Sequence, residues 1–153
     1  MPNLDFEQSQ TQSQPLEQAK IDTIKQQCQS GYQLYDLGDY KGALRLFYQA
    51  WLLLPKPQSD YEPAGWVLTA IGDTYYKLQQ YQQAVEALSS AAHCSGIDNN
   101  PFINLRLGQA YLDLEALGKA RNQLFRAWSK GGQPLFKQED PRYFKAIEDL
   151  VGA

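Results

Sequence analysis

The chain is poor in the side chains that do chemistry. It has two cysteines, Cys28 and Cys94, and a single histidine, His93. The cysteines lie far apart and form no Cys-x-x-Cys pair, so they read as two reduced thiols rather than a redox or zinc motif. His93 precedes Cys94, but adjacent residues on a helix do not face one another, so the two do not make a nucleophile and its base. Gly118-Lys119 is not a phosphate loop, because Asp113 stands where the earlier glycine is required. No metal site, no cofactor and no enzymatic activity are expected.

Long apolar runs are missing too. No stretch approaches the roughly 20 apolar residues of a membrane-spanning helix. The start, Met1-Pro2-Asn3-Leu4-Asp5-Phe6, has neither a basic cluster nor an apolar core, so no secretory signal is expected and the expected compartment is the cytoplasm. Positive charge is also short. Lys and Arg number 14 against 17 Asp and Glu, for a net charge of −3, and the cations are dispersed. That balance speaks against a nucleic-acid partner, which needs a basic face, and is compatible with a basic protein partner.

What the chain has is enough apolar residue for a core, 43% of 153 residues, in a length that suits one domain. Residues 1–15, rich in Gln and Ser, read as a disordered tail. Residues 16–153 read as a single domain. Ile21, Ile24, Cys28, Tyr32 and Tyr35 recur at helical spacing up to Leu37-Gly38-Asp39, where the pattern breaks. A second run, Tyr40 to Leu54, carries Ala43, Leu44, Phe47, Ala50, Trp51 and Leu54 at steps of three and four. Pro55 and Pro57 end it.

The same arrangement occurs twice more. Tyr75-Tyr76-Lys77-Leu78 runs through Gln79-Gln80 to Tyr81, followed by Ala84, Leu88 and Ala91. Tyr111-Leu112-Asp113-Leu114 runs through Glu115-Ala116 to Leu117, followed by Ala120, Leu124 and Ala127. Ala84 follows Ala43 by 41 positions and Ala120 follows Ala84 by 36; Gly31, Gly72 and Gly108 keep the same two spacings. Two independent markers in one register establish an internal repeat of paired helices.

These residues resemble the tetratricopeptide repeat family, whose unit is about 34 residues. The first copy matches through Gly31, Gly38, Tyr40, Ala43, Phe47, Ala50 and Pro55. The second matches through Gly72, Tyr75, Tyr81, Ala84, Leu88 and Ala91, and the third through Leu107, Gly108, Tyr111, Ala120, Leu124 and Ala127. Copy one has Leu34 where an aromatic is usual. Copy two has Gln79 in place of the turn glycine and Gly96 in place of the closing proline. Copy three has Glu115 and Leu117 in its turn. The extra length falls in connections at 56–64 and 96–100.

The resemblance implies an all-α fold, a right-handed α-solenoid of three helix pairs plus a C-terminal capping helix. The repeats fall at about 24–57, 65–98 and 101–134. Asp140-Pro141 is a helix start, and Tyr143, Phe144, Ile147 and Leu150 give the expected cap, 140–151, an apolar stripe. Leu135 and Phe136 are expected to tuck a linker onto the third pair. Tyr75 and Tyr111 are expected in the core.

The first helix of each pair lines the concave side in this family. Its groove positions fall on Lys25, Cys28, Tyr32 and Tyr35, then on Trp66, Thr69, Asp73 and Tyr76, then on Phe102, Leu105, Gln109 and Leu112. The implied site is an aromatic groove with few charges that binds a peptide or partner protein, or that the chain's own N-terminal segment folds back to fill. A clamp for a C-terminal carboxylate is not expected, because Cys28, Tyr32 and Phe102 occupy its positions and only Arg106 fits. Within protein binding, the resemblance extends to small acidic bacterial secretion chaperones. The run Asn100–Gln109 with Glu139–Tyr143 also resembles small stand-alone bacterial members associated with toxin gene neighbourhoods, which implies an immunity or inhibitor protein neutralising a toxin as the alternative reading. A self-assembling structural protein, hence a homo-oligomer, is the third reading.

Overall fold

A computed structural model of the chain describes residues 15–94, 96–97 and 100–152. The expected tail, apart from Pro15, lies outside them. The long helices pair in chain order: α1 (Gln18–Asp36) with α2 (Tyr40–Leu52), α3 (Pro63–Lys77) with α4 (Tyr81–Ala92), and α5 (Pro101–Asp113) with α6 (Leu117–Phe136). Two short helices follow, α7 (Pro141–Lys145) and α8 (Glu148–Val151), and a single 3-10 turn, Gln58–Asp60, lies in the first connection. Each helix packs most extensively on its pair-mate, then on the next helix in sequence. The first helices α1, α3 and α5 also touch in succession, forming an inner layer. Among the described residues there is no strand, and no helix is long and apolar enough to cross a membrane.

Each pair turns through the same backbone device. Gly38, Gln79 and Glu115 hold φ of +83°, +62° and +63°. The amides of Gly38 and Asp39 donate to the carbonyls of Tyr35 and Leu34; Gln79 and Gln80 donate to Tyr76 and Tyr75; Glu115 and Ala116 donate to Leu112 and Tyr111. This is the double closure that ends a helix through one left-handed residue. Gln79 and Glu115 are therefore the glycine position occupied by side chains, and each pays a steric penalty that Gly38 avoids.

The glycine register has a packing cause. A Cβ on Gly72 would lie 2.5 Å from Leu88 Cγ, and one on Gly108 would lie 2.5 Å from Leu124 Cγ. On Gly31 it would run into the Phe47 ring. In every pair the same side chain of the second helix fills the space left by the first helix's glycine. The alanines Ala43, Ala84 and Ala120 are fully buried at the same crossings. A continuous core runs from Ile24 to Ala110, and a second cluster of Leu105, Leu124, Ala127, Phe136, Tyr143 and Ile147 joins the last pair to the cap.

The ends depart from the sequence reading. α2 stops at Leu52, two residues early. α6 runs on to Phe136 across a break at Gly132 (φ +66°, ψ −163°), so Leu135 and Phe136 lie in a helical turn rather than a linker. The single capping helix is instead α7 and α8, separated at Ala146-Ile147, and Leu150 is exposed while Tyr143 and Ile147 are buried. Tyr75 and Tyr111 pack against the core as expected but stay half-buried, and the Tyr75 hydroxyl reaches the exposed Tyr48 hydroxyl at 2.9 Å.

Two substitutions test this account with opposite signs. Gly72→Ala should destabilise by about 1–3 kcal/mol, the usual range for overpacking. Gln79→Gly should stabilise by up to about 1 kcal/mol, because it removes a left-handed side chain. Urea unfolding midpoints of the two variants against the parent chain check both.

Candidate functional site

The expected groove residues form four rows across the inner layer. Lys25, Trp66 and Phe102 make the first row; Cys28, Thr69 and Leu105 the second; Tyr32, Asp73 and Gln109 the third; Tyr35, Tyr76 and Leu112 the fourth. Every row keeps the 41 and 36 spacings, so the helix register alone brings these side chains to one face.

Their accessibility differs sharply. Lys25 is exposed, and Cys28, Tyr32, Tyr35, Trp66, Tyr76, Phe102 and Leu112 are half-buried. Thr69, Asp73, Leu105 and Gln109, expected to meet a partner, are buried. Thr69 donates back to the Gly65 carbonyl at 2.7 Å. Leu105 belongs to the apolar cluster beneath the cap.

Asp73 and Gln109 serve one arginine. Arg106 Nε donates to Asp73 Oδ1 at 2.8 Å. Its Nη1 donates to Gln109 Oε1 at 2.7 Å and to Glu139 Oε1 at 2.6 Å. Gln109 Nε2 donates to the same Glu139 oxygen at 2.7 Å, and the Tyr35 hydroxyl donates to Asp73 Oδ1 at 2.9 Å. The guanidinium carbon lies 4.8 Å from the Phe102 ring centre and 5.0 Å from that of Tyr76. The expected groove with few charges is thus corrected: its middle is a buried ionic cluster ringed by aromatics. Arg106 escaped the row pattern because it sits one residue past Leu105 and reaches back across the layer.

The electrostatics are self-consistent. Burial works against the Arg106 charge, but Asp73 and Glu139 outweigh it and hold the guanidinium above its ordinary value. Burial likewise opposes Glu139 ionisation, yet the Gln109 hydrogen bond and the Arg106 charge hold its carboxyl below 4.5. Burial first, then Asp73, pushes the Tyr32 and Tyr35 hydroxyls upward. Burial also pushes the Cys28 thiol up to about 11, which keeps it protonated at neutral pH.

A second cluster fastens α7 to the same layer. Tyr143 donates to Asp113 Oδ2 at 2.9 Å, so the Tyr76 hydroxyl is left to donate to Tyr143 across 2.5 Å. Arg142 pairs with Asp113 Oδ1 at 2.6 Å. Among the described residues every buried side-chain nitrogen or oxygen has a partner, and no three His, Cys, Asp or Glu side chains group as metal ligands. At the other end, Trp66 and Lys25 border an open cavity of about 490 Å³ between α1 and the connection into α3.

No protein-family model and no curated protein matches the sequence. Solved structures do. The type III secretion chaperone SycD of Yersinia enterocolitica, in complex with a peptide of the translocator YopD, superposes with a TM-score of 0.66 at 20% identity, over 85% of this chain and 93% of that one. PcrH of Pseudomonas aeruginosa, in complex with the chaperone binding region of PopB, gives 0.65 at 20% identity over 86% and 98%. The first TPR of Spaghetti (RPAP3), bound to an HSP90 peptide, gives 0.64 at 15% identity over 85% and 94%. The chain has the tetratricopeptide-repeat fold.

Within that fold the tetratricopeptide inner layer is divided. Its C-terminal half is closed by Arg106, Glu139 and Tyr143. In its N-terminal half Lys25 is exposed and Cys28, Tyr32 and Trp66 are half-buried.

Because Glu139 is ionised more readily folded than unfolded, its contribution to stability is present above 4.5 and is lost as pH falls through its lower folded value. Glu139→Gln should therefore cost about 1–2 kcal/mol at neutral pH and converge on the parent chain in acid. Unfolding midpoints across an acid titration check this.

Proposed function

We propose that this chain is a non-catalytic protein-binding module, spanning residues 16–153, that holds an extended segment of a partner protein along its inner layer. The fold carries the class, and the half-buried aromatics of the open N-terminal half carry the site. Tyr32, Tyr35 and Trp66, with Lys25, Tyr76 and Phe102 at the margins, are the contact residues. Rigid rings of this kind supply large contact area at low entropic cost and often dominate interfaces. Thr69, Asp73, Leu105 and Gln109 support that surface from beneath instead of touching the partner. The polar groups of the inner layer are satisfied by one another, which fits a surface built to hold rather than to react.

The biological role we favour is that of a bacterial secretion chaperone or adaptor acting in the cytoplasm. SycD is seen with a peptide of a translocator and PcrH with the chaperone binding region of one, on the same fold and nearly the whole chain length. A second reading, self-association, has its own observation: Leu37 and Leu52 are 81% and 76% exposed. A dimer in light scattering that Leu37→Ser with Leu52→Ser converts to monomer would favour it.

The binding reading is tested by a photo-crosslinking side chain placed at Trp66 on the inner layer or at Tyr48 on the outer surface. A partner segment should cross-link from position 66 and not from 48. Trp66→Ala should weaken that partner by about tenfold or more, with the melting temperature nearly unchanged. Capture from position 48 alone would overturn the assignment of the site.

A further inference from the structure

The outer helix α6 is charged in one direction. It carries Lys119, Arg121, Arg126 and Lys130 and no aspartate or glutamate, in a chain whose net charge is −3. Arg121 is committed, since Nη1 and Nη2 donate to the two Asp149 carboxylate oxygens at 2.8 Å. Lys130 donates to Asn104 Oδ1 at 3.1 Å. Lys119 and Arg126 make no ion pair among the described residues. Both are exposed, and with Tyr111, Gly118, Asn122 and Gln123 they line an open cavity of about 360 Å³. Gln123 Oε1 accepts from Asn104 at 2.8 Å, which leaves the Gln123 amide nitrogen as the end that can donate into it. The preceding repeat shows that packing does not require this charge. Tyr75, Gln83, Glu86, Ala87 and Ser90, each 36 positions before a lining residue, line the equivalent cavity there. Lys119 thus stands in place of Gln83, Arg126 in place of Ser90, and Asn122 in place of the carboxylate Glu86. Tyr48 and Trp51, which wall the earlier cavity, have Ser89 and Ala92 at their repeat positions 41 residues on, so no ring from the neighbouring outer helix covers the later one.

We infer that this outer cavity binds an acidic segment of a partner protein, whose carboxylates accept from Lys119, Arg126 and the amide nitrogens of Asn122 and Gln123. A guanidinium holds a carboxylate with two parallel hydrogen bonds, and an ammonium holds one as a point charge. Lys119 and Arg126 stand two helical turns apart, about 10.5 Å along the axis, so a segment with several acidic residues meets both and a lone carboxylate does not. An apolar occupant would strip water from two cations without replacing it. A nucleic-acid strand would carry its charge beyond the cavity, across a chain that is acidic as a whole, whereas a short acidic segment confines it. The surface belongs to the outer helices and is separate from the inner layer, so it adds a second contact to the binding module and does not depend on the first.

The experiment titrates the full chain calorimetrically with three probes: a synthetic peptide with glutamate at alternate positions, the same peptide with glutamine there, and a single-stranded oligothymidylate of equal charge. The glutamate peptide should bind about tenfold tighter than the glutamine peptide, with the gap closing as salt is raised. Lys119→Gln with Arg126→Ser installs the residues of the preceding repeat and should remove that preference. Lys41→Gln with Arg45→Ser deletes the same charge from exposed positions on α2 and should leave it intact. All four side chains are exposed, so unchanged melting midpoints confirm that both double variants are folded. Equal affinity for the two peptides overturns the inference, as does an equal loss in both double variants, which would mark a general charge effect and no site. Tighter binding of the oligothymidylate than of the glutamate peptide overturns the acidic protein segment in favour of nucleic acid. Each of these failures leaves binding by the inner layer untouched, because that reading is measured by cross-linking from position 66.

Discussion

The structure depends on how closely two helices approach at one crossing in each pair. Gly31, Gly72 and Gly108 leave a hollow that Phe47, Leu88 and Leu124 fill, and Ala43, Ala84 and Ala120 remove bulk from the other side. A hairpin packed this tightly still has an apolar flank, so it must stack on a neighbour. Stacking lines up the first helices, and that alignment produces an inner layer with four rows of side chains. The candidate site is a consequence of the crossing and has no separate architecture of its own.

An inner layer needs a boundary at its last repeat, where no further pair covers the face. Here the boundary is ionic as well as apolar. Tyr143 and Ile147 pack where a following helix would lie, while Glu139 and Arg142 tie the segment to Arg106 and Asp113. Burying Arg106 carries a desolvation cost that its two carboxylates offset. An apolar contact would stabilise as well but would permit sliding. A guanidinium with fixed donors to Asp73, Gln109 and Glu139 allows one placement of the cap.

The sequence made the paired helices readable because their register is a matter of periodicity: small residues at 41 and 36 positions mark the crossings directly. The turns were readable only in part. Gly38 announces its left-handed backbone, whereas Gln79 and Glu115 adopt it under tertiary compulsion with no local signal. The rows of the site followed from the register, but their burial did not. Asp73 and Gln109 look like groove residues until Arg106 is seen to join Asp73 and Glu139, which lie 33 positions before and after it, a separation that belongs to neither repeat spacing. The division of the cap into α7 and α8 was hidden for a related reason. Its apolar stripe suits one helix, but Tyr143, Phe144 and Ile147 pack on the last pair while Leu150 stays exposed.

These two kinds of constraint divide the inner layer by chemistry. Toward the C-terminus its polar groups are committed to one another, and a ligand there would have to break bonds that hold the cap in place. Toward the N-terminus Lys25 Nζ lies over the Trp66 ring and Lys77 Nζ over that of Tyr35, on flexible stems, while the edges of Tyr35 meet Tyr32 and Tyr40. Replacing such a contact costs little, because the exposed ammonium returns to water when it leaves. The closed half, with its hydrogen bonds committed, holds the first helices in register beneath the N-terminal part of the layer.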